Sequence, residues 1–539
     1  MNIDTIIIGT GVAGTAIATK LLESNPTSNI LMLEAGDKQT MRDFSLFQNF
    51  LVTNKLPNDS NTIYDAFCDL DYPKQETIGE NQSNGNTQIP LQGGRLFMYG
   101  GSTGHWGGWS FRLKPEDFKL KTNTGKGIDW PIDYYDLEPF YLEAEHFIGV
   151  SGNNNDPTFD NLQYPYNEFP FTIEDGPYID AFKKLGINHS NLPIARYGLP
   201  KTAIINEQFH APCQTTGTCK YCPFGSRYVA ANNLDELIQK GSYPNFKIIT
   251  NAVVKEVLME SKNKASGIIY YDKNSNKEVK IYSNKIILAA GAIESAKILL
   301  RSESENWKDG IGNDKGLVGR NLVSHPYFFF KATLPKNEKM LQPQMGFPTL
   351  VSRHYDSAEE QWDGKFILIN PVSSPKVNLA KSMSKGMKKD EIINSINQNV
   401  TVQIQGMLEV FSHRDNRVLN SDKRNRFGLN ETIINFSKDE NFDNRMNYIQ
   451  SVVAKIFEEM GAKNTTMEMS TSWRADHAAC TTRMSDSPNN GVVDKNLRVH
   501  GVDNLYVCSN SSFSSLGAVN PTLTLTALAL RLGSYLNKQ

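Results

Sequence analysis

Gly9, Gly11 and Gly14 form a GxGxxG pattern, and Glu34 follows about twenty residues later at the end of the next apolar run. Each part of that spacing has a physical use. Gly9 permits a tight turn, and Gly11 lets backbone amides approach a pyrophosphate at a helix N-terminus. Val12 and Ala13 occupy the first helical turn, Gly14 allows helix and strand to pack closely, and the Glu34 carboxylate accepts hydrogen bonds from ribose hydroxyls. The chemistry predicted here is dinucleotide binding, which by itself does not separate FAD from NAD. A second cluster, HAPCQTTGTCKYCPFG, brings His210, Cys213, Cys219 and Cys222 into one short stretch. Zinc with His210 as fourth ligand, a disulfide, and plain buried thiols are all compatible with it.

The glycine turn needs a strand before it and a helix after it, and the sequence supplies both. DTIIIG reads as a strand, AIATKLLES as an amphipathic helix and NILMLEAG as a second strand, a βαβ unit. From about Phe44 to Thr87 the pattern is irregular and polar. GGRLFMYGGSTGHWGGW then holds seven glycines, which suits backbone pressed against a ligand. DWPIDYYDLEPFYLEAEHFIGV predicts a turn and an aromatic-rich helix, and KIILAAGAIESAKILLRS a strand, a tight turn at Ala290 and Gly291, and a helix. YFFFKATL, KFILINPV and NVTVQIQGML predict an antiparallel sheet whose aromatic residues belong mainly to a core, with stacking on a sugar ring as their other use. Asn153–Asn161 and Lys381–Asn399 read as surface loops, and TLTLTALALRLGSYL as a closing apolar helix.

The whole chain bounds the remaining possibilities. At 539 residues it is long enough for two joined domains, and its 56 basic and 58 acidic side chains leave a net charge of -2. Such a surface lacks the positive field that nucleic acid requires. No run reaches the ~18 uninterrupted apolar residues of a membrane span. Met1 leads almost directly into the first strand, so no signal peptide is expected. Six cysteines, with Cys68, Cys480 and Cys508 well apart, do not make a disulfide framework. A cytoplasmic location is expected, with periplasmic co-export alongside a signal-bearing partner as the alternative.

Three further stretches carry a family likeness. HAACTTRM, NNGVVDKNLRVHGVDNLYV and VNPTLTLTALAL, together with EAGD and GGSTGHW, resemble signatures of the glucose-methanol-choline (GMC) family of flavin oxidoreductases, in the same order. The resemblance covers residues 1 to 110, 280 to 300 and 477 to 530, and STGHWGGW is similar to the pyranose oxidase and fructose or gluconate dehydrogenase branch. Two positions depart from the family pattern. Cys480 stands where Gly is usual, a change expected to alter oxyanion or flavin-edge contacts, and Ser509 stands near a usual Asp.

The resemblance implies an α/β Rossmann-like FAD-binding domain made of discontinuous segments and an α+β substrate domain with an antiparallel sheet. The corresponding boundaries are 1–329, 330–460 and 461–539, with insertions around 40–90 and 110–230. It implies FAD held by the first glycine turn and Glu34, by Gly101, Ser102, His105 and Trp106, by Ala290 and Gly291, and by Asn510, Pro521 and Thr522. His477 would be the base that takes the hydroxyl proton, and Asn520 the group that holds the substrate hydroxyl. His105 becomes a candidate for covalent flavin attachment. An iron-sulfur cluster at the cysteine stretch, serving an electron-acceptor protein or small subunit, is a further implication. The expected reaction is oxidation of an alcohol on a sugar, glycoside or polyol. The rival readings are a flavin electron-transfer subunit and a non-sugar alcohol oxidase.

Overall fold

The computed structural model describes residues 3–38, 81–91, 94–201, 211–214, 222, 224–334, 347–357, 364–370, 383, 385–396, 400–425, 427–462 and 467–539. The first strand is Ile3–Ile8, and its β-branched residues Ile6 to Ile8 are buried on both faces, as a central parallel strand requires. It pairs in parallel with Ile30–Leu33 on one side and with Lys277–Leu288 on the other. Lys247–Ile249 and Leu505–Val507 extend the parallel layer, so segments far apart in the chain complete one sheet.

Lys277–Leu288 belongs to two pairings. Its second half, from Ser283, lies beside the first strand, while Lys277 to Tyr282 pairs antiparallel with Lys264–Asp272, which in turn pairs with Ala252–Ser261. The expected closing helix is Thr522–Leu536. It packs against the first helix, Val12–Ser24, so closely that a Cβ on Gly533 would come within 2.7 Å of the Lys20 Cβ. Its other neighbour is the aromatic helix Tyr134–Phe147, which starts at an Asp133 capping box and places the Tyr141 hydroxyl 2.8 Å from Thr524 Oγ1.

A second, six-stranded sheet is antiparallel throughout. Its order is Glu468–Trp473, Pro326–Leu334, Val400–Leu408, Phe366–Ile369, Leu350–Ser352 and Ser190–Asn191. Strand alternation divides the aromatic run between two faces. Phe328 and Phe330 are fully buried with Ile404, Phe442, Ile449 and Val453, beneath the helix Phe442–Glu459. Tyr327 and Phe329 point the other way.

Asn153–Asn161 holds no helix or strand, in line with its polar sequence. Lys381–Asn399 differs from expectation, because Lys389–Ile396 is helical. Asp390 and Glu391 lie in its first turn, where they favour the helix dipole, and this local effect outweighs the polar composition read as loop. Among the described residues no helix is long and apolar enough to cross a membrane.

Candidate active site

The first turn is built by close contact. Gly9 adopts φ +103°, and a Cβ there would meet the Ala289 carbonyl at 2.5 Å; a Cβ on Gly14 would meet the Gly9 carbonyl at 2.1 Å. Gly11 is different, for a Cβ on it would have nothing within 4 Å. It faces a cavity of about 840 Å³.

Three helix N-termini reach this cavity: the first helix through Gly11 to Ala13, the helix Gly291–Arg301 through Ala290 to Glu294, and the closing helix through Asn520, Thr522 and Leu525. None of the three has a side-chain cap hydrogen bond. Uncapped first-turn amides favour anions and developing negative charge. Glu34 ends the second strand at the cavity wall, where its carboxylate accepts from Thr10 N at 3.1 Å, Thr10 Oγ1 at 2.6 Å and Gly36 N at 2.9 Å. Burial raises its pKa, and these donors oppose the rise. A carboxylate offers about four acceptor sites, which leaves one for a further donor.

The glycine-rich stretch is zipped to the end of the second strand, with Tyr99 N donating to Asp37 O at 3.0 Å. A Cβ on Gly36 would lie 1.7 Å from the Phe97 carbonyl. From this anchor the single-turn helix Gly101–Gly104 brings Gly101, Ser102, His105 and Trp106 to the cavity. Arg227 donates to the carbonyls of Gly104 and Trp106, and the Trp106 indole donates to Tyr228 O at 2.8 Å. His105 is buried there.

At the far end the C-terminal block meets the antiparallel sheet. His477 Nε2 lies 3.2 Å from Asn520 Nδ2, and both residues line the cavity. The Asn520 Oδ1 and Asn510 Oδ1 atoms are buried without a hydrogen-bond partner among the described residues. Such atoms are costly unless a ligand satisfies them. Burial first, and the Arg474 charge second, push the His477 pKa down to about 3, so its imidazole is neutral.

Of the residues expected from the sequence to hold FAD or act on the substrate, all line this cavity except Gly14, which packs on the turn, and Pro521, which precedes the closing helix. Ser509 lines it also, its hydroxyl 2.6 Å from that of Ser511. Cys480 does not. It is fully buried with φ +70°, its N–H donates to Asn510 O at 3.0 Å, and burial pushes its thiol up to about 12. Its departure from the family's Gly therefore concerns backbone conformation and packing rather than the expected oxyanion or flavin-edge contact.

Sequence reading missed several wall residues: Tyr327, Phe329, Gln405, Ser472, Arg474 and Asp476. The period-two alternation of YFFF held the signal for Tyr327 and Phe329, but not which face was the cavity. His210 and Cys219 of the cysteine cluster lie outside the described residues. Cys213 and Cys222 form no disulfide with each other or with any other described cysteine, and Arg196 donates to Cys213 Sγ at 3.8 Å. Among the described residues no group of three or more His, Cys, Asp or Glu could hold a metal ion.

The class follows from this arrangement: a dinucleotide-binding α/β enzyme whose nucleotide cavity ends at a histidine-asparagine pair. Two family models, both described as GMC oxidoreductase, match residues 195–327 and 412–529. The chain is 28% identical to the fructose dehydrogenase large subunit of Gluconobacter japonicus, covering 98% of this chain and 97% of that one. It is 24% identical to the gluconate 2-dehydrogenase flavoprotein of Pantoea cypripedii, over 98% and 92%. Among solved structures, pyridoxine 4-oxidase from Mesorbium loti shares the fold with a TM-score of 0.63 at 17% identity, covering 100% of both chains. The chain belongs to the GMC oxidoreductase family and is an FAD-dependent oxidoreductase acting on CH–OH groups. Its cavity fits that cofactor: the space beside Gly11, the open acceptor site on Glu34 and the unpartnered Asn510 oxygen are the features a bound dinucleotide would fill.

Proposed function

We propose that the protein oxidises an alcohol group of a sugar, glycoside or polyol, with His477 as the general base and Asn520 as the group that orients the hydroxyl. The observation that carries this reading is the His477 Nε2 to Asn520 Nδ2 contact of 3.2 Å on the cavity wall. Gly11 to Ala13, Glu34, Ser102, His105, Ala290, Gly291, Asn510 and Thr522 would hold FAD, which when bound accepts the hydride at N5. In the step, the O–H bond breaks toward His477 Nε2 and the C–H electron pair leaves with its hydrogen. The carbonyl forms between those two atoms. Turnover then needs oxygen, a quinone or a partner protein to take the two electrons.

The side chains supply distinct parts of this chemistry. A neutral imidazole has a lone pair for the hydroxyl proton, and Asn520 Nδ2–H fixes the alcohol oxygen next to it. The closing helix directs its first-turn amides at the same end of the cavity, where they favour negative charge. Tyr327, Phe329, Gln405 and Ser472 give the sheet side of the cavity the mixture of flat apolar surface and polar groups that suits a polyhydroxylated ring. The names of curated relatives, fructose dehydrogenase and gluconate 2-dehydrogenase among them, support that substrate class.

The test is anaerobic mixing of the purified flavoprotein with hexoses, polyols, glycosides and amines, following loss of visible flavin absorbance. Bleaching by a sugar or polyol, slowed about 10²–10⁴-fold in His477→Ala with the flavin still bound, is the expected result. Reduction by amines alone, or an unchanged rate in His477→Ala, would sink the reading.

A further inference from the structure

His477 has a second histidine behind it. His325 Nδ1 lies 2.9 Å from His477 Nδ1, and His325 Nε2 lies 2.8 Å from the carbonyl oxygen of Gly517. The rings meet edge to face at 82°, with centroids 5.1 Å apart. Backbone pairing puts them there. Pro326 is opposite Trp473 in the antiparallel sheet, and Val323 and Ala479 exchange both their N–H···O bonds, at 3.2 and 2.9 Å. The chain on either side of His325 is thus tied to the chain on either side of His477, while Gly517 arrives from the loop before the closing helix.

From this chain of contacts we infer that His325 is a positioning residue, one that fixes the proton of His477 on Nδ1 and keeps Nε2 bare for the alcohol. The inference deepens the proposed function and rests on its assignment of His477 as base. Its logic is a proton inventory. A carbonyl oxygen only accepts, so the His325 proton sits on Nε2 and points at Gly517. A neutral imidazole has one N–H, so His325 Nδ1 carries a lone pair. The facing nitrogen of His477 must then be the donor, which leaves His477 Nε2 without a proton. Asn520 completes the sequence: it must turn its NH₂ toward His477, as the 3.2 Å contact from Nδ2 has it. Burial holds both rings neutral, with pKa values pushed down to about 3, so the inventory has no spare proton.

Tyr327 does not compete for this role. Its hydroxyl lies 3.3 Å from Nδ1 and 3.1 Å from Nε2 of His477, almost equidistant, and so sits off the plane of the ring rather than along either in-plane lone pair. When His477 Nε2 takes the alcohol proton, its Nδ1–H bond to His325 becomes charge-assisted. The proton stops there, because Gly517 O has no hydrogen to pass on.

The test reads the tautomer directly. In the holoprotein labelled with ¹⁵N-histidine, with His477 assigned by comparison with His477→Gln, the His477 resonances should report Nδ1–H and a bare Nε2. His325→Leu should move them toward the other tautomer and lower kcat about 10–100-fold, the usual cost of losing such a supporting partner, with KM little changed. His325→Gln, whose amide carries a donor for Gly517 and an acceptor for His477, should restore both readouts. Nε2–H on His477 in the unmodified protein overturns the inference, and that measurement needs no variant that folds poorly. So does a His325→Leu protein that keeps the native tautomer. If the tautomer is as inferred but His477→Ala reduces its flavin normally, the base assignment fails while the assignment of the proton stands.

Discussion

The carbonyl of Gly9 occupies the place a side chain on Gly14 would need, 2.1 Å from its ideal Cβ, whereas the same atom on Gly11 would enter open space. Two alanine substitutions three residues apart should therefore fail in different ways. Gly14→Ala forces backbone against backbone and should destabilise the fold by about 2–4 kcal/mol, read as a lower urea midpoint with or without FAD. Gly11→Ala should leave the apoprotein's midpoint within about 0.5 kcal/mol of the original and weaken FAD binding at least about tenfold, because the methyl enters the space reserved for the nucleotide. Equal loss of apoprotein stability in both would remove the argument that Gly11 serves a ligand.

Asn520→Leu keeps the volume and removes the amide. Loss of one oriented hydrogen bond to the alcohol should lower kcat/KM for the best sugar or polyol by about 1–3 kcal/mol, or roughly 5- to 150-fold, while bound flavin stays stoichiometric. Stopped-flow reduction measures the first quantity and the absorbance ratio of the purified protein the second. A variant as fast as the parent would place the alcohol elsewhere.

Cys480 carries a non-glycine side chain at φ +70°, in the left-handed region. Gly at this position would relieve about 1 kcal/mol of backbone strain and forfeit a similar amount of buried thiol packing, so Cys480→Gly should be near neutral in stability. Cys480→Val, with a branched Cβ in the same conformation and a larger volume in a closed core, should lose about 3 kcal/mol. Urea unfolding of both variants decides the matter; equal midpoints would mean the backbone conformation is not the constraint.

Acid should act on the histidine pair through the unfolded state. Burial first, then His477 for His325 and Arg474 for His477, depress both pKa values to about 3 from 6.5. Between those pH values the unfolded chain binds protons that the native pair does not, so native stability is retained above pH 6.5 and declines as pH falls. Each ring contributes a slope of up to about 1.4 kcal/mol per pH unit. Asp476 and Asp356 also face His325, and other buried carboxylates titrate nearby, so the useful comparison is between parent and His325→Gln. The variant should lose less stability between pH 7 and pH 5, by roughly 2 kcal/mol. Identical pH dependence in the two proteins would show that His325 is not held neutral by the fold.

The parts of the site made from local backbone were legible in the residue order. The strand, glycine turn and helix around Gly9 to Gly14, the acid ending the next strand and the closing helix behind Asn520 each depend on neighbours within a few residues, so spacing alone specifies them. The likeness of the His477 and Asn520 segments to a known family added the expectation that they act together. The closing helix occupies Thr522–Leu536, the run read as helical in the sequence.

The rest depended on pairings between distant segments. His325 stands 152 residues from His477, in a stretch with no motif of its own, and it meets its partner only because Val323 pairs with Ala479 and Pro326 with Trp473. In Tyr327 to Phe330, alternation along the strand divides the aromatics into two sets, yet both sets are apolar, and packing of the Phe442–Glu459 helix decides which set is covered. The residue order thus determined the nucleotide turn and the kind of groups at its mouth. Which long-range strands share a register, and with it which nitrogen of His477 carries the proton, is decided by tertiary structure, because hydrogen-bond partners across a sheet are chosen by packing and not by separation along the chain.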